Sequence, residues 1–521
     1  MKVLLINPPY AATEPPSIPM SLLYIGAALE DAGNEVRILD LLISPASQDV
    51  IQRTIENFDP AMVGITSVTM NWPEASRILH WVKQADERIY TVAGGPHATF
   101  TWKDIGNSEP WIDFVVLGEG EKTIIELVNK IEKNTSTHGI DGLAWRENGG
   151  MVAGSRRAFE HNLDLLPKPA RHLFSLPKYR AMWTDARMST GRGCPFSCAF
   201  CVGAKMVGHK PRLMSPNSVV DEIEDVVRLG FRDISFSDDH FGMKRSHAIA
   251  VCDEIINRGI DIDLGIFIRA DAAEPELLDK MRRAGCTRIL FGAESGVQAI
   301  VDRIRKKIDL NLLKEKVKLA VDMGFQVQVT FILGLPGETR ETIEQTFEYA
   351  FNLGIFAGMH ILAPLPGSEI YECAEELGIR ILHRDWSLYD ANHVVSEPKG
   401  ISASELEKII IEHEKNIENL EKQEIEAWRR GELTGSSQKG LDRRRCMNFY
   451  FELFRNGFFN SNACSVEING NINPQDKLIK SAAIHANVDD FEASKWIKRA
   501  MDAGDLKIIQ EGSKAKFGFI E

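Results

Sequence analysis

The sequence predicts an α/β protein with two parallel-sheet regions in series and a mostly helical domain after them. Three observations carry that prediction. Residues 1–140 alternate short β-rich runs with amphipathic helices, residues 186–390 repeat the alternation six times, and from about residue 400 long charged helices take over. Alternation at this spacing builds parallel sheets covered by helices. At 521 residues the chain exceeds one ordinary core, so several domains are expected. Hydrophobic residues at 44% and charged residues at 26% suit a globular protein, and no run approaches the ~20 apolar residues of a membrane span. The net charge of −13 argues against broad nucleic-acid binding.

In the first region the strand candidates are Val3–Ile6, Glu35–Leu39, Met62–Thr66, Tyr90–Ala93 and Phe114–Leu117. Helices are expected over Met20–Ala32, Gln48–Asn57, Pro73–Ala85 and Glu121–Lys130. The apolar run after Met1 is too short for a signal peptide and reads as a buried first strand, which predicts a cytoplasmic protein. An open parallel sheet binds its ligand beyond the carboxyl ends of the strands. Those ends are Asn7-Pro8-Pro9-Tyr10, Ser67-Val68-Thr69-Met70-Asn71, Gly94 to Thr99, and Gly118-Glu119-Gly120-Glu121. Three are rich in Gly or small hydroxyl residues, so a bulky ligand can approach the backbone closely. No G-x-G-x-x-G follows the first strand, which leaves a dinucleotide unsupported.

Residues 141–185 carry Pro167, Pro169 and Pro177 with little periodicity and read as a connector. Over 186–390 the strand candidates are Arg187–Thr190, Asp233–Ser237, Leu264–Arg269, Arg288–Gly292, Gln326–Leu333 and Met359–Ala363. Helices are expected near 216–229, 245–258, 274–284, 310–323 and 340–353. Six such repeats make a partial (β/α)6 barrel, whose active groups belong at the carboxyl ends of its strands.

The first of those ends carries Cys194, Cys198 and Cys201 in a C-x3-C-x2-C run. A four-iron cluster is usually held by four thiolates, so three ligands from one loop leave one iron open to a substrate or cofactor. A zinc knuckle is the alternative, but it pairs two C-x2-C units or adds a fourth ligand, and no second unit is present. Eight cysteines in all, three of them clustered, suit a reducing compartment. Cys252 and Cys286 read as buried small hydrophobes, and Cys446 and Cys464 are too isolated for a second cluster.

With Phe200 before its last cysteine, this motif resembles the signature of the radical S-adenosylmethionine (SAM) superfamily. The ordered strand ends of the first region resemble the cobalamin-binding domain fused ahead of many such enzymes. The D-x-H-x-x-G motif of the cobalamin mutases is absent, as in the radical SAM branch. The resemblance implies a Rossmann-like cobalamin domain at 1–140 and a radical SAM partial barrel at 186–390. The cofactors it implies are a [4Fe-4S] cluster on Cys194, Cys198 and Cys201, SAM, and cobalamin, carried as methylcobalamin.

By the same resemblance, cobalamin's nucleotide tail threads between Ser67, Thr69 and the Gly94–Gly95 turn. The corrin lies over the strand ends, near Asn7, Pro8, Met70, Asn71, Gly118, Glu119 and Gly120. His97 hydrogen-bonds and packs beside the corrin in preference to ligating cobalt. The Thr69–Trp72 turn faces the lower cobalt face. Glu294 takes the SAM ribose or amino group with help from Ser295, and Arg269 pairs with the SAM carboxylate. Gly334 to Gly337 and Ala363 pass close to adenine. Asp238 or Asp239 holds the amino group or faces the substrate.

Residues 391–521 form a C-terminal domain. A cap-like Ser402 to Glu405 opens a long charged helix to Arg430, Gly431 to Gly440 reads as a flexible linker, and helices follow near 475–486 and 489–503. A hairpin around Glu511–Ser513 completes a winged-helix-like end. Lys507, Lys514 and Lys516 make only a modest basic edge. Peptide or protein docking is therefore favoured over DNA, with plain packing against the barrel as an equal competitor. The expected activity is methylation of an unactivated carbon, in a peptide or protein such as a glutamine of methyl-coenzyme M reductase. A tetrapyrrole or hopanoid is the alternative substrate, and a flavodoxin- or ferredoxin-type protein the expected electron donor. A cobalamin- or redox-sensing regulator is the reading from another class.

Overall fold

The computed structural model describes residues 1–10, 16–468 and 473–520. Its first sheet has seven strands: β1 (Lys2–Asn7), β2 (Glu35–Asp40), β3 (Met62–Thr66), β4 (Tyr90–Gly94), β5 (Phe114–Val116), β6 (Leu143–Glu147) and β7 (Gly150–Ala153), in the order β2-β1-β3-β4-β5-β6-β7. The first five are parallel and the last two antiparallel. Val3, Leu4, Leu5 and Ile6 are all buried, because helices cover both faces. The helices are α1 (Met20–Asp31), α2 (Gln48–Phe58), α3 (Trp72–Ala85), α4 (Pro96–Ser108) and α5 (Glu121–Glu132). The chain diverges from β1 to β2 on one side and β3 on the other, and a ligand crevice opens at such a switch point.

Two expectations change here. Gly94 to Thr99 is a turn only as far as Gly95; Pro96 then opens α4, at the first helical position where its missing N–H costs nothing. The start of the supposed connector is the β6–β7 hairpin, which extends the sheet. The rest of the connector is packed: Arg171 forms a buried ion pair with Glu222, and the Tyr179 hydroxyl donates to Asp40 at 2.6 Å.

The second sheet has six parallel strands: β8 (Ala186–Met188), β9 (Asp233–Phe236), β10 (Asp263–Phe267), β11 (Cys286–Glu294), β12 (Gln326–Leu333) and β13 (Phe356–Ile361). They neighbour one another in sequence order, and β8 and β13 are its two edges, so the barrel is partial. Between them run α6 (Pro216–Arg228), α7 (Arg245–Asn257), α8 (Pro275–Arg283), α9 (Leu310–Asp322) and α10 (Arg340–Asn352). Ser215, Asp309 and Thr339 cap α6, α9 and α10 through their side-chain oxygens. Along β12, Val329, Phe331 and Leu333 are buried, while Gln328, Thr330 and Ile332 on the other face are half-buried. That alternation marks an inner face open to a ligand.

The C-terminal part contains α11 (Ala403–Arg429), α12 (Gly435–Arg455), α13 (Pro474–Ala486) and α14 (Asp490–Asp502). Its three-stranded sheet combines β14 (Ser465–Glu467), β15 (Leu506–Glu511) and β16 (Lys514–Phe519), with β16 central. At the start of α11 the Ser402 N–H and hydroxyl both donate to the Glu405 carboxylate. The expected linker Gly431 to Gly440 is overturned from Gly435 onward, where it becomes the first turns of α12. Low local propensity is overridden by charge: Lys439 binds Asp263, and Arg443 binds Asp185. Arg288 also reaches Asp185, Asp233 and Asp263. These aspartates stand at the amino ends of β8, β9 and β10, so α12 seals the end of the barrel opposite the cysteine loop.

Candidate active site

A cavity of about 420 Å³ lies between the carboxyl ends of β1, β3, β4 and β5 and the ends of β8 and β9. Leu5, Ile25, Val92 and Val116 give it an apolar wall, and Ser189, Ser237 and Asp239 close it from the barrel side. Its floor is stripped of side chains. A Cβ at Gly94 would meet nothing closer than 3.9 Å, whereas one at Gly95 (φ +94°) would lie 2.3 Å from the Ser67 carbonyl. Only glycine fits that close approach. The Ser67 N–H and hydroxyl both donate to the Gly94 carbonyl, at 2.9 and 3.1 Å, and sew the two strand ends together.

Of the residues expected to meet cobalamin, Gly94, Gly95, Gly118, Glu119 and Gly120 line this cavity. Asn7 is buried and donates to Asp40 at 2.8 Å, while the Asn71 side chain accepts from the Val68 N–H at 2.9 Å. Pro8 is buried and Met70 half-buried, and neither is among the residues that line the cavity. His97 is 2% exposed, lies 3.3 Å from the Thr69 hydroxyl, stacks on Trp72 at 5.0 Å, and meets the edge of Trp386 at 5.2 Å. Burial pushes its pKa down to about 3, so it is a neutral packing residue.

The cysteine loop is gripped from several sides. Cys194 N–H donates to Gly208 O at 3.1 Å and Ala199 N–H to Ile304 O at 2.9 Å. The Arg269 guanidinium sits 3.7 Å from the centre of the Phe196 ring and donates to the carbonyls of Lys306 and Lys307, each at 2.9 Å. Cys194 and Cys198 are half-buried, which pushes their thiols up, while Lys306 and Arg269 pull Cys198 the other way; Cys201 is exposed. Three thiols on one loop beside two cations suit an anionic cluster, whose irons would supply the charge that makes thiolates. The flanking arginines bind the first domain: Arg192 reaches Glu121 at 2.6 Å, and Arg212 reaches Glu119 at 2.5 and 3.0 Å.

Two family models match the chain, the B12 binding domain over residues 10–128 and the Radical SAM superfamily over residues 188–350. An uncharacterized methyltransferase of Pyrococcus horikoshii is 32% identical over 79% of this chain and 91% of its own length. The chain belongs to the cobalamin-dependent radical SAM methyltransferase family. The anaerobic magnesium-protoporphyrin IX monomethyl ester cyclase of Rubrivivax gelatinosus is 29% identical, covering 78% of this chain and 75% of that protein. The fold matches the solved structure of OxsB, a cobalamin-dependent SAM radical enzyme bound to aqua-cobalamin and SAM. The TM-score is 0.67 at 14% identity, over 98% of this chain and 82% of that one. These relatives are enzymes, which sets the regulator reading aside.

Within this family's barrel, the expected SAM residues divide into braces and candidates for contact. Asp238 is buried and accepts from Ser189, the Thr190 N–H and the Thr190 hydroxyl, so it braces β8 against β9. Among the described residues Asp239 accepts from the Gly193 N–H; it is exposed and lines the cavity. Glu294 stands at a register shift in β11 with φ +67° and forms a buried ion pair with Lys306. A Cβ on Gly292 would lie 2.5 Å from the Glu294 carboxylate and 2.9 Å from the Lys306 ammonium. Arg269 is also held by Asp271 at 2.8 Å, and the buried Ser295 hydroxyl accepts from the Val297 N–H at 3.2 Å. Gly334 (φ +89°) donates to Glu338, while Ala363 is half-buried. Lys306 was missed from the sequence because it lies twelve residues beyond Glu294, in a run that reads as a solvated charge cluster. Arg192 had a readable signal, its place two residues before Cys194.

Proposed function

We propose that this enzyme methylates an unactivated carbon of a peptide or protein side chain, such as a glutamine of methyl-coenzyme M reductase. The observation that carries the reading is the cavity shared between the strand ends of the cobalamin domain and the Ser189, Ser237 and Asp239 edge of the barrel. When bound, cobalamin supplies the methyl group and the cluster the electron that cleaves SAM. The chain's own part is positioning. Arg192 and Arg212 hold the cysteine loop against the cobalamin domain, the Glu294–Lys306 pair addresses SAM, and Asp239 faces the gap.

The inner face of the barrel supports a substrate that hydrogen-bonds. In β11 to β13, Gly292 pairs with Thr330, and Thr330 pairs with Gly358. A Cβ at Gly358 would meet Gln328 Nε2 at 3.3 Å, Thr330 Cγ2 at 3.5 Å and His360 Nε2 at 3.6 Å. These polar groups share the face that carries the Glu294–Lys306 pair, and they suit an amide better than a hopanoid. The cyclase relative keeps a tetrapyrrole as the second reading. A flavodoxin- or ferredoxin-type donor in a reducing cytoplasm supplies the electron.

The test is anaerobic reconstitution with cobalamin, SAM and reductant, offering either a glutamine-containing peptide or a magnesium porphyrin monomethyl ester. Methylated peptide together with 5′-deoxyadenosine and S-adenosylhomocysteine is expected. Methylation or ring closure of the porphyrin alone overturns the peptide reading. Cys198→Ala should abolish the cluster absorbance near ~400 nm, and intact absorbance would contradict the ligand assignment.

A further inference from the structure

Residues 186–220 contain Arg187, Arg192, Lys205, Lys210 and Arg212 but no aspartate or glutamate, in a chain of net charge −13. Arg192 and Arg212 turn inward to Glu121 and Glu119. Lys205, His209 and Lys210 are exposed, and neither lysine is ion-paired among the described residues. Arg156, also exposed, donates to the Lys205 carbonyl at 3.0 Å. Arg305 donates to the Ser197 carbonyl at 3.3 Å and holds Glu369, an acid whose charge also interacts with Lys205.

This basic face adjoins the cysteine loop directly. Cys194 N–H bonds to Gly208 O, the residue before His209. A Cβ on Gly193 would lie 2.8 Å from the Lys210 carbonyl. The short helix Gly203–Val207 turns Met206 and Val207 to the cavity and leaves Lys205 exposed. Electron transfer falls off steeply with distance, so a donor has to dock where the loop lies close to the surface. A positive face on an acidic molecule selects a partner of opposite sign and speeds its arrival.

We propose that Lys205, His209, Lys210, Arg156 and Arg305 form the docking face for an acidic, low-potential one-electron carrier protein. One electron leaves the carrier and enters the cluster held by Cys194, Cys198 and Cys201; no bond is made or broken. The proposal rests on the radical SAM reading, and its test separates the two.

The full-length enzyme, reconstituted with its cluster, is mixed with flavodoxin hydroquinone at low ionic strength, and bleaching of the cluster band is followed. Binding of oxidised flavodoxin is measured separately by calorimetry. Lys205→Glu with Lys210→Glu should slow reduction by flavodoxin about tenfold or more and weaken binding in parallel. Raising the salt should cut the wild-type rate and leave the variant's nearly unchanged. Reduction by dithionite, and 5′-deoxyadenosine formed with dithionite, should be the same in both proteins. Lys205→Gln with Lys210→Gln should fall between them. Unchanged flavodoxin rates and binding would overturn the docking face. An equal loss with dithionite would place the defect in the cluster and also overturn it. Tighter binding of duplex DNA than of flavodoxin would assign the face to another partner. Failure of the wild type to make 5′-deoxyadenosine with dithionite would instead count against the enzyme reading.

Discussion

Arg212 grips Glu119 with both terminal nitrogens, at 2.5 and 3.0 Å, and so fastens the cysteine loop to the cobalamin domain. Both side chains are largely buried, and Arg192 repeats the arrangement with Glu121. The Gly118 to Glu121 turn therefore serves two purposes. Its glycines open the cavity, and its glutamates set the distance across it.

Removing one partner strands the other as a buried charge. Arg212→Ala should cost about 3 kcal/mol or more, read as a lowered thermal midpoint and faster loss of cobalamin on gel filtration. Arg212→Ala combined with Glu119→Ala should recover part of that loss, because the two share one interaction.

Gly95 cannot accept a side chain. Gly95→Ala would push a methyl group onto the Ser67 carbonyl and strain a φ of +94°, which should cost on the order of 1–3 kcal/mol and reduce bound cobalamin. Gly150→Ala is the control, since its Cβ would meet only Asn107 Oδ1 at 3.9 Å and it lies away from the cavity. Cobalamin content by absorbance distinguishes them.

His97 makes stability fall in acid. Its pKa drops from the usual 6.5 to about 3 in the folded chain through burial. Between those values the unfolded chain binds a proton that the folded chain refuses. The stability contributed above pH 6.5 is thus lost as pH falls from about 6.5 through about 3. Unfolding followed by fluorescence across that range should show a shallower acid slope for His97→Phe; an unchanged slope would contradict the assignment.

Lys306→Met would leave Glu294 buried without its cation. SAM affinity should fall about tenfold or more, the scale of one charge-assisted hydrogen bond, while iron content stays near wild type. Equilibrium dialysis against labelled SAM measures the first, and iron analysis the second.

At the far end of the barrel, Arg443→Ala should free Asp185 from the helix that covers it, while Lys439 of the same helix still reaches Asp233. A lowered thermal midpoint with unchanged cluster absorbance is expected, because α12 lies at the amino ends of the strands.

The five parallel strands of the first sheet and the six strands of the second were legible in the sequence, because period and turn residues are local signals, whereas the β6–β7 hairpin was not. The cysteine spacing was legible for the same reason, since three cysteines within eight residues need no distant partner. Helix α4 was not: Pro96-His97-Ala98-Thr99 carries no clean apolar period, and its fate depends on the Trp72 and Trp386 rings that close over His97. The start of α12 was hidden by glycine and serine until aspartates from three strands drew Lys439 and Arg443 down.

The sequence by itself determined which chemistry the chain carries: a loop for a cluster, strand ends bared for a large cofactor, and a cation-rich stretch around the cysteines. Only the tertiary structure decided which side chains are free to use it. Asp238 and Asp239 are neighbours of one type, yet three donors consume the first and the second faces the cavity. Glu294 has a partner twelve residues away, and Arg212 one ninety-three residues away. Ion pairs and close backbone contacts form between residues that folding brings together, and no local pattern in the chain encodes them.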